Sequence, residues 1–330
     1  MTVPSGELAA ARAILVVGGT GFIGNAVLRA LSRTDGVDRD RMPRLHALSR
    51  RACAAAGIPG VRHVTGDLTD RRSLRGVCSG IDTVVHTASY VGRDPQRCEA
   101  VNGEGTRALL DEARRAGVRR FLYVSTASVY GTGPHRGPGE GQVGPAPASP
   151  ASASRLCAEE EVRAEGGTVL RPHLVYGEGD RWLVPVVARL LRLVPAWPAG
   201  EGARSSVIEV GDLARVVAAL VHSPWVPDGG RTYHVADPRP LPMERLLAEV
   251  RSVLRLPAPR RVSAADHREL VRRSLPGFTD HQYALLTQDH WYDTAAIWRD
   301  TGIDPGPGFQ ERFTACSPWY REQLDRAVGD

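Results

Sequence analysis

The chain has 330 residues and carries 42 basic against 37 acidic side chains, a net charge of +5. Every one of those 42 basic residues is arginine, which excludes lysine Schiff bases and lysine-tuned proton relays. With 42% apolar and 24% charged residues, the composition is that of a soluble globular chain and excludes collagen-like or disordered classes.

In chain order, Ala13–Val17 predicts a buried strand and Phe22–Leu31 an amphipathic helix. The N-terminal apolar stretch runs straight into a glycine-rich turn, so it reads as mature structure and not as a signal peptide. Leu45–Leu48, Val61–Val64, Ile81–Val85 and Phe121–Val124 predict further strands. Asn102–Ala116 predicts a helix with Leu109, Leu110 and Ala113 on one stripe. Apolar strands separated by helices indicate a doubly wound, Rossmann-type α/β fold with a parallel sheet covered on both faces. Gly131–Ser149 is rich in Gly, Pro and Ser with little to bury, and reads either as a binding loop or as a surface excursion. Ala151–Arg163 then predicts a helix and Thr168–Leu170 a strand.

The remainder holds all six tryptophans, Trp182, Trp197, Trp225, Trp291, Trp298 and Trp319, in proline-rich, irregular surroundings. The expected organisation is a nucleotide-binding domain over residues 10–180, with a return segment at about 203–236. Residues 181–202 and 237–330 would form a smaller, mixed substrate-binding lobe. No run approaches the roughly 18 apolar residues of a membrane span, and the arginines are too evenly spread for a nucleic-acid footprint. The five cysteines (Cys53, Cys78, Cys98, Cys157, Cys316) are scattered and form no C-x-x-C. Neither a disulfide framework nor a metal site is expected, and the natural compartment is the cytoplasm.

The strongest local signal is the strand, then Gly18-Gly19-Thr20-Gly21-Phe22-Ile23-Gly24, then the helix. Glycines let the backbone approach a pyrophosphate, and the helix start offers N–H groups and partial positive charge. An NAD binder places an acidic residue near the end of the second strand to hold ribose hydroxyls. Here that end reads Ser49-Arg50-Arg51, which suits a 2′-phosphate and predicts NADP(H).

These features resemble the extended short-chain dehydrogenase/reductase family of the NAD-dependent epimerase/dehydratase type, from the first strand to about residue 255. Gly18, Gly21 and Gly24 fit its glycine spacing, and Gly66-Asp67-Leu68-Thr69-Asp70 its adenine-contacting segment. His86-Thr87-Ala88-Ser89 fits its strand-end motif, and Asn102 with Gly105-Thr106 its N-x-x-G-T helix start. Val124-Ser125-Thr126-Ala127-Ser128-Val129-Tyr130-Gly131 matches its catalytic hydroxyl strand. Arg171-Pro172 with Val175-Tyr176-Gly177 fits the nicotinamide-side loop, and Val210-Gly211-Asp212-Leu213-Ala214 a later segment. The resemblance implies cofactor contacts from Gly18 to Gly24, at Ser49 to Arg51, Asp67, Leu68, His86, Thr87, Ala88, Ser125, Arg155, Pro172 and Val175. Ser89, Tyr90, Thr126, His173 and Trp182 would face substrate.

One departure stands out. The family places Tyr-x-x-x-Lys at the start of a helix as its acid/base pair. Aligned on the helix ending Ala158-Glu159, those positions hold Ala151 and Arg155. No shift of register recovers the pair, because no tyrosine lies between Tyr130 and Tyr176 and lysine is absent. Arg155 lies one helical turn from Ala151 and can orient a ribose, but its guanidinium cannot donate a proton at neutral pH. Thr126, with Ser125 beside it, can still hydrogen-bond a carbonyl oxygen.

The proton source stays open among Ser89, Tyr90, Ser125, Ser128, Ser152, Ser154, His173 and the substrate itself. Tyr130 belongs to the family's structural Val-Tyr-Gly. A substrate phenol has an unperturbed pKa of about 10, like tyrosine, and points to aromatic polyketides, which the resemblance narrows to the angucyclinone type. Three functions compete: an NADPH-dependent ketoreductase of antibiotic biosynthesis with a substrate-assisted proton, a nucleotide-sugar epimerase or dehydratase, and a non-catalytic NADP-binding sensor. The partner is a small molecule, neither nucleic acid nor membrane, and the protein a monomer or homodimer.

Overall fold

β1 (Ala13–Val17) is wholly apolar and wholly buried, as a strand covered on both faces must be. It pairs in parallel with β2 (Arg44–Ser49) on one side and β4 (Thr83–His86) on the other. β3 (Val61–Thr65) extends the sheet from β2, β5 (Arg120–Val124) from β4, and Thr168–Pro172 from β5, all in parallel. Thr232–Val235 completes a seven-stranded sheet. The strand order reverses at β1, so the C-terminal ends of β1 and β4 flank the topological switch point where open α/β sheets bind ligands. The computed structural model describes residues 13–33, 43–50, 57–199, 202–223 and 230–329, with side chains to residue 325.

The chain divides into two compact units. The first comprises Met1–Ser125, Ser149–Leu170 and Leu213–Tyr233. Its helix α1 (Phe22–Leu31) has the predicted bounds. The helix expected from Asn102 starts earlier, because Asp94 caps a short α2 (Pro95–Cys98) through the Gln96 and Arg97 amides. A π-helical turn, Glu99–Glu104, then leads into α3 (Gly105–Arg115). Leu109 and Ala113 on α3 share a core with Leu15, Val17, Tyr123 and Val162. α4 (Pro150–Ala164) begins on a capping box: Ser149 and Ser152 each bond the other's amide, with Pro150 at the first helical position.

The second unit comprises Thr126–Ala148, Arg171–Asp212 and His234–Asp330. Its core gathers Val187, Leu190, Leu246, Val250, Phe313 and Tyr320 from separate helices. The Gly131–Ser149 stretch is an ordered arm and not a surface excursion. His135–Arg136 pairs with His290–Trp291, and the Ala146 amide donates to the Val129 carbonyl at 2.9 Å. Among the tryptophans, Trp197 and Trp298 are buried and Trp182 is 64% exposed; Trp225 lies outside the described residues. Among the described residues, no helix is long and apolar enough to cross a membrane, and no group of three or more potential ligands could hold a metal ion.

Candidate active site

The turn after β1 depends on two close approaches. Gly18 has φ +83°, a conformation L side chains avoid, and a Cβ there would stand 2.8 Å from the Ala88 amide nitrogen. At Gly24 a Cβ would fall 2.2 Å from the Gly18 carbonyl oxygen and 2.7 Å from Thr87 Oγ1. Thr87 is pinned in turn, its amide and hydroxyl both donating to the Val17 carbonyl at 2.9 and 2.8 Å. Gly21 begins α1 without any side-chain cap. The leading N–H groups of α1, Phe22 and Ile23 among them, therefore meet no capping side chain, and the helix dipole favours an anion there. A glycine cradle at an uncapped helix start fits the pyrophosphate of a dinucleotide. Thr20 is exposed beside it.

At the end of β2, Ser49 Oγ lies 2.7 Å from His63 Nε2, and Arg50 is exposed. Arg51 lies outside the described residues. Asp67 accepts both the amide and the hydroxyl of Thr69, at 2.9 and 2.8 Å. Burial alone would raise its carboxyl; the Thr69 bonds and the Arg50 charge outweigh that and hold it below its ordinary value. Leu68 is buried, where a Cβ on Gly105 would meet its side chain at 2.7 Å.

The C-terminal ends of β4 and β5 are lined by side chains instead of bare backbone. His86 is fully buried; its Nε2 lies 3.0 Å from Thr106 Oγ1, while its Nδ1 has no partner among the described residues. Burial, aided by the Arg155 charge, pushes its pKa down to about 3, so the imidazole is neutral. Tyr123 packs its ring 5.2 Å from His86, and burial raises its hydroxyl against the opposing pull of Arg155. Arg155 donates from Nη2 to the Val124 carbonyl at 2.9 Å.

Five buried polar atoms around this mouth have no hydrogen-bond partner among the described residues: His86 Nδ1, Ser89 Oγ, Tyr123 Oη, Ser125 Oγ and Arg155 Nε. Each such atom costs about 1–3 kcal/mol of desolvation, so the cluster marks a place that a polar ligand completes. Ser125, Arg155 and Ser89, named from sequence, are brought together with His86 and Ala88 at these strand ends. The hydroxyl, imidazole and guanidinium groups of the set fit the ribose and carboxamide of a nicotinamide nucleotide.

Sequence reasoning found Asn102 only as a helix start and missed its clamp. From the π turn, its Oδ1 accepts the Tyr90 amide at 2.8 Å, and its Nδ2 donates to the Tyr90 carbonyl at 2.9 Å and to Ser154 Oγ at 3.0 Å. The loop after β4 is thereby tied to α4 one residue from Arg155. Ser154 also donates to the Ala151 carbonyl, and Ser152 is used in the capping box. Both hydroxyls are thus committed to the fold. Tyr90 carries the Arg97 guanidinium 4.6 Å above its ring.

The remaining sequence-predicted residues belong to the second unit. Thr126 Oγ1 accepts the Ser128 amide at 3.1 Å, capping the 3₁₀ turn Ala127–Tyr130. Pro172 ends its strand buried, and Val175 pairs with Ile208. His173 stacks on His290 at 5.5 Å, and neither of its ring nitrogens has a partner among the described residues. Trp182 is not packed into the unit; its backbone amide donates to Asp180. Tyr130 is committed on both sides: Arg171 donates to its hydroxyl at 2.7 Å, and it lies 2.6 Å from His234 Nε2. His135, His234, His290 and Tyr292, which surround Tyr130 and His173, carried no periodic or motif signal and escaped the sequence reading.

Residues 14–236 match the model of the NAD-dependent epimerase/dehydratase family. The chain is similar to 2-alkyl-3-oxoalkanoate reductase of Stenotrophomonas maltophilia, 28% identical over 324 residues covering 90% of this chain and 96% of the relative. It is 29% identical to a 3β-hydroxysteroid dehydrogenase/Δ5→4-isomerase of Mycobacterium tuberculosis over 346 residues, 93% of this chain and 90% of the relative. Among solved structures, a dTDP-glucose 4,6-dehydratase of Streptomyces venezuelae aligns with a TM-score of 0.73 at 23% identity, covering 94% of this chain and 97% of that one. That likeness speaks to the fold alone. On the glycine turn, the seven-stranded sheet and the matched residues together, the chain belongs to the NAD-dependent epimerase/dehydratase family, the extended short-chain dehydrogenases/reductases.

Proposed function

We propose that the chain is an NADPH-dependent ketoreductase that acts on a phenol-flanked aromatic polyketide ketone of the angucyclinone type, in antibiotic biosynthesis. The observation that carries this reading is the pair Ala151 and Arg155 on α4: the first has no ionisable group, and the second reaches the end of β5 at the Val124 carbonyl. Arg155 orients and supplies positive field, and an arginine side chain is no acid for a proton transfer. A bound nicotinamide nucleotide supplies the hydride. Thr126 keeps its hydroxyl hydrogen free of the bond it accepts from Ser128, and offers it to a carbonyl oxygen. A phenol beside the ketone, with a pKa of about 10, takes the part of the absent tyrosine.

An epimerase or dehydratase must first remove a hydroxyl proton, and Ala151 offers no base for that. The reductase similar over 90% of the chain supports carbonyl reduction. Ser49 and the exposed Arg50, where an NAD binder carries a carboxylate, support NADPH. The reading is of a cytoplasmic monomer or homodimer. The test is absorbance loss at the nicotinamide band with 8-hydroxy-1-tetralone. NADPH is consumed much faster than NADH, and UDP-glucose with oxidised cofactor gives no signal. Turnover of UDP-glucose, with none of the tetralone, contradicts the reading.

A further inference from the structure

A group of aromatic rings in the second unit contains buried polar atoms that the fold itself does not use. Tyr292 is 5% exposed, and its ring meets Tyr130, His135, His173 and His234 at centroid distances of 5.3, 5.6, 5.9 and 4.9 Å. Tyr130 and His234 are satisfied, and so is His290, which stacks on His173. His290 donates from Nδ1 to the Gln288 carbonyl and accepts the Gly133 amide at Nε2, each at 3.0 Å. His234 donates from Nδ1 to the Asp293 carbonyl at 3.1 Å and accepts the Tyr130 hydroxyl. The Tyr292 hydroxyl, both nitrogens of His173 and Nε2 of His135, by contrast, are buried without a partner among the described residues. The contrast lies within one contact group, so it does not reflect loose packing. Unpaired groups of this kind are retained where a ligand supplies the missing bonds.

We infer that Tyr292 and His173 are specificity-determining residues that hydrogen-bond the hydroxyl–carbonyl edge of an uncharged aromatic substrate, an assignment that rests on the reductase reading above. The chemistry narrows the class. Tyr292 offers a donor, and a neutral imidazole offers one donor and one acceptor. Burial, with His290, His135 and His281 nearby, keeps His173 well below its ordinary pKa and therefore uncharged. The rings suit a flat, hydrogen-bonding ring system, and the cation packed against them, Arg171, is held on the Tyr130 hydroxyl.

The test uses the full chain saturated with NADP⁺, so that no turnover intervenes, and calorimetric titration with 8-hydroxy-1-tetralone. Tyr292→Phe and His173→Phe keep ring volume while removing the polar atoms. Each is expected to weaken binding about five- to tenfold, the value of one or two neutral hydrogen bonds. The Tm of the ligand-free variant stays level or rises, because an unpaired buried group has been removed. A lower Tm for either variant shows a bond within the fold and overturns the assignment, as does unchanged affinity. Wild-type chain that binds the tetralone through these residues but consumes no NADPH sinks the reductase reading alone.

Discussion

The turn from Gly18 to Gly24 and the mouth formed by the ends of β4 and β5 lie along the same edge of one sheet, yet they are built differently. The turn is bare backbone at close quarters: a Cβ on Gly24 would strike the Gly18 carbonyl oxygen at 2.2 Å, and no side chain caps α1. The mouth is made of side chains, with His86, Ser89, Tyr123, Ser125 and Arg155 each holding a buried polar atom that the described residues leave unpaired. Recognition by backbone constrains shape and leaves little room for change. Recognition by side chains leaves the chemistry adjustable, and on the proposed function Ala151 and Arg155 stand in this adjustable region in place of the family's acid/base pair.

That contrast predicts the sizes of mutational effects. The largest belongs to the turn: Gly24→Val forces α1 off the Gly18 carbonyl and weakens NADPH binding about 100-fold by titration, the upper end of overpacking costs of about 1–3 kcal/mol. Retained tight binding would break the contrast. In the mouth, Arg155→Ala removes the bond to Val124 and the positive field, and lowers kcat/KM about 10- to 100-fold, with partial recovery in Arg155→Lys.

His86 sets a pH effect of intermediate size. Its unfolded imidazole titrates at 6.5 and its buried form at about 3, so the unfolded chain binds the proton first as pH falls. Stability is therefore complete above pH 6.5 and declines toward pH 3 by up to about 1.4 kcal/mol per unit, which denaturant melts between pH 7 and 5 would register. His86→Asn removes its share of that slope and leaves the shares of the other buried histidines, His173, His234 and His290 among them. The smallest effect lies at the end of β2, where Arg50 is exposed. Arg50→Ala weakens NADPH severalfold at low salt and less at high salt, leaving NADH binding unchanged.

How much of this was legible in the sequence followed the same division. The strand, glycine turn and α1 could be read to the residue because each signal is local: an apolar run, glycines, then a helical period. The start of the helix around Asn102 was misplaced because the Asp94–Pro95 cap lies upstream and the π turn has no periodic mark. The order of Gly131–Ser149 was hidden because it comes from pairing with His290–Trp291, some 150 residues on. The ring group around Tyr292 was hidden for the same reason, since Tyr130, His173, His234 and Tyr292 meet only in the folded unit. Arg155 could be placed on α4 by alignment, but its hold on Val124 needed coordinates.

On the proposed function, the proton comes from the substrate and not from this polypeptide. The direct measurement is kcat at saturating ketone and NADPH for 8-hydroxy-1-tetralone against its 8-methoxy ether. Loss of an acid in the reacting step costs about 10²- to 10⁴-fold, so the ether is predicted to turn over at least about 100-fold more slowly, a deficit far beyond that of Thr126→Ala on the phenol. Equal rates for phenol and ether would place the acid on the protein after all.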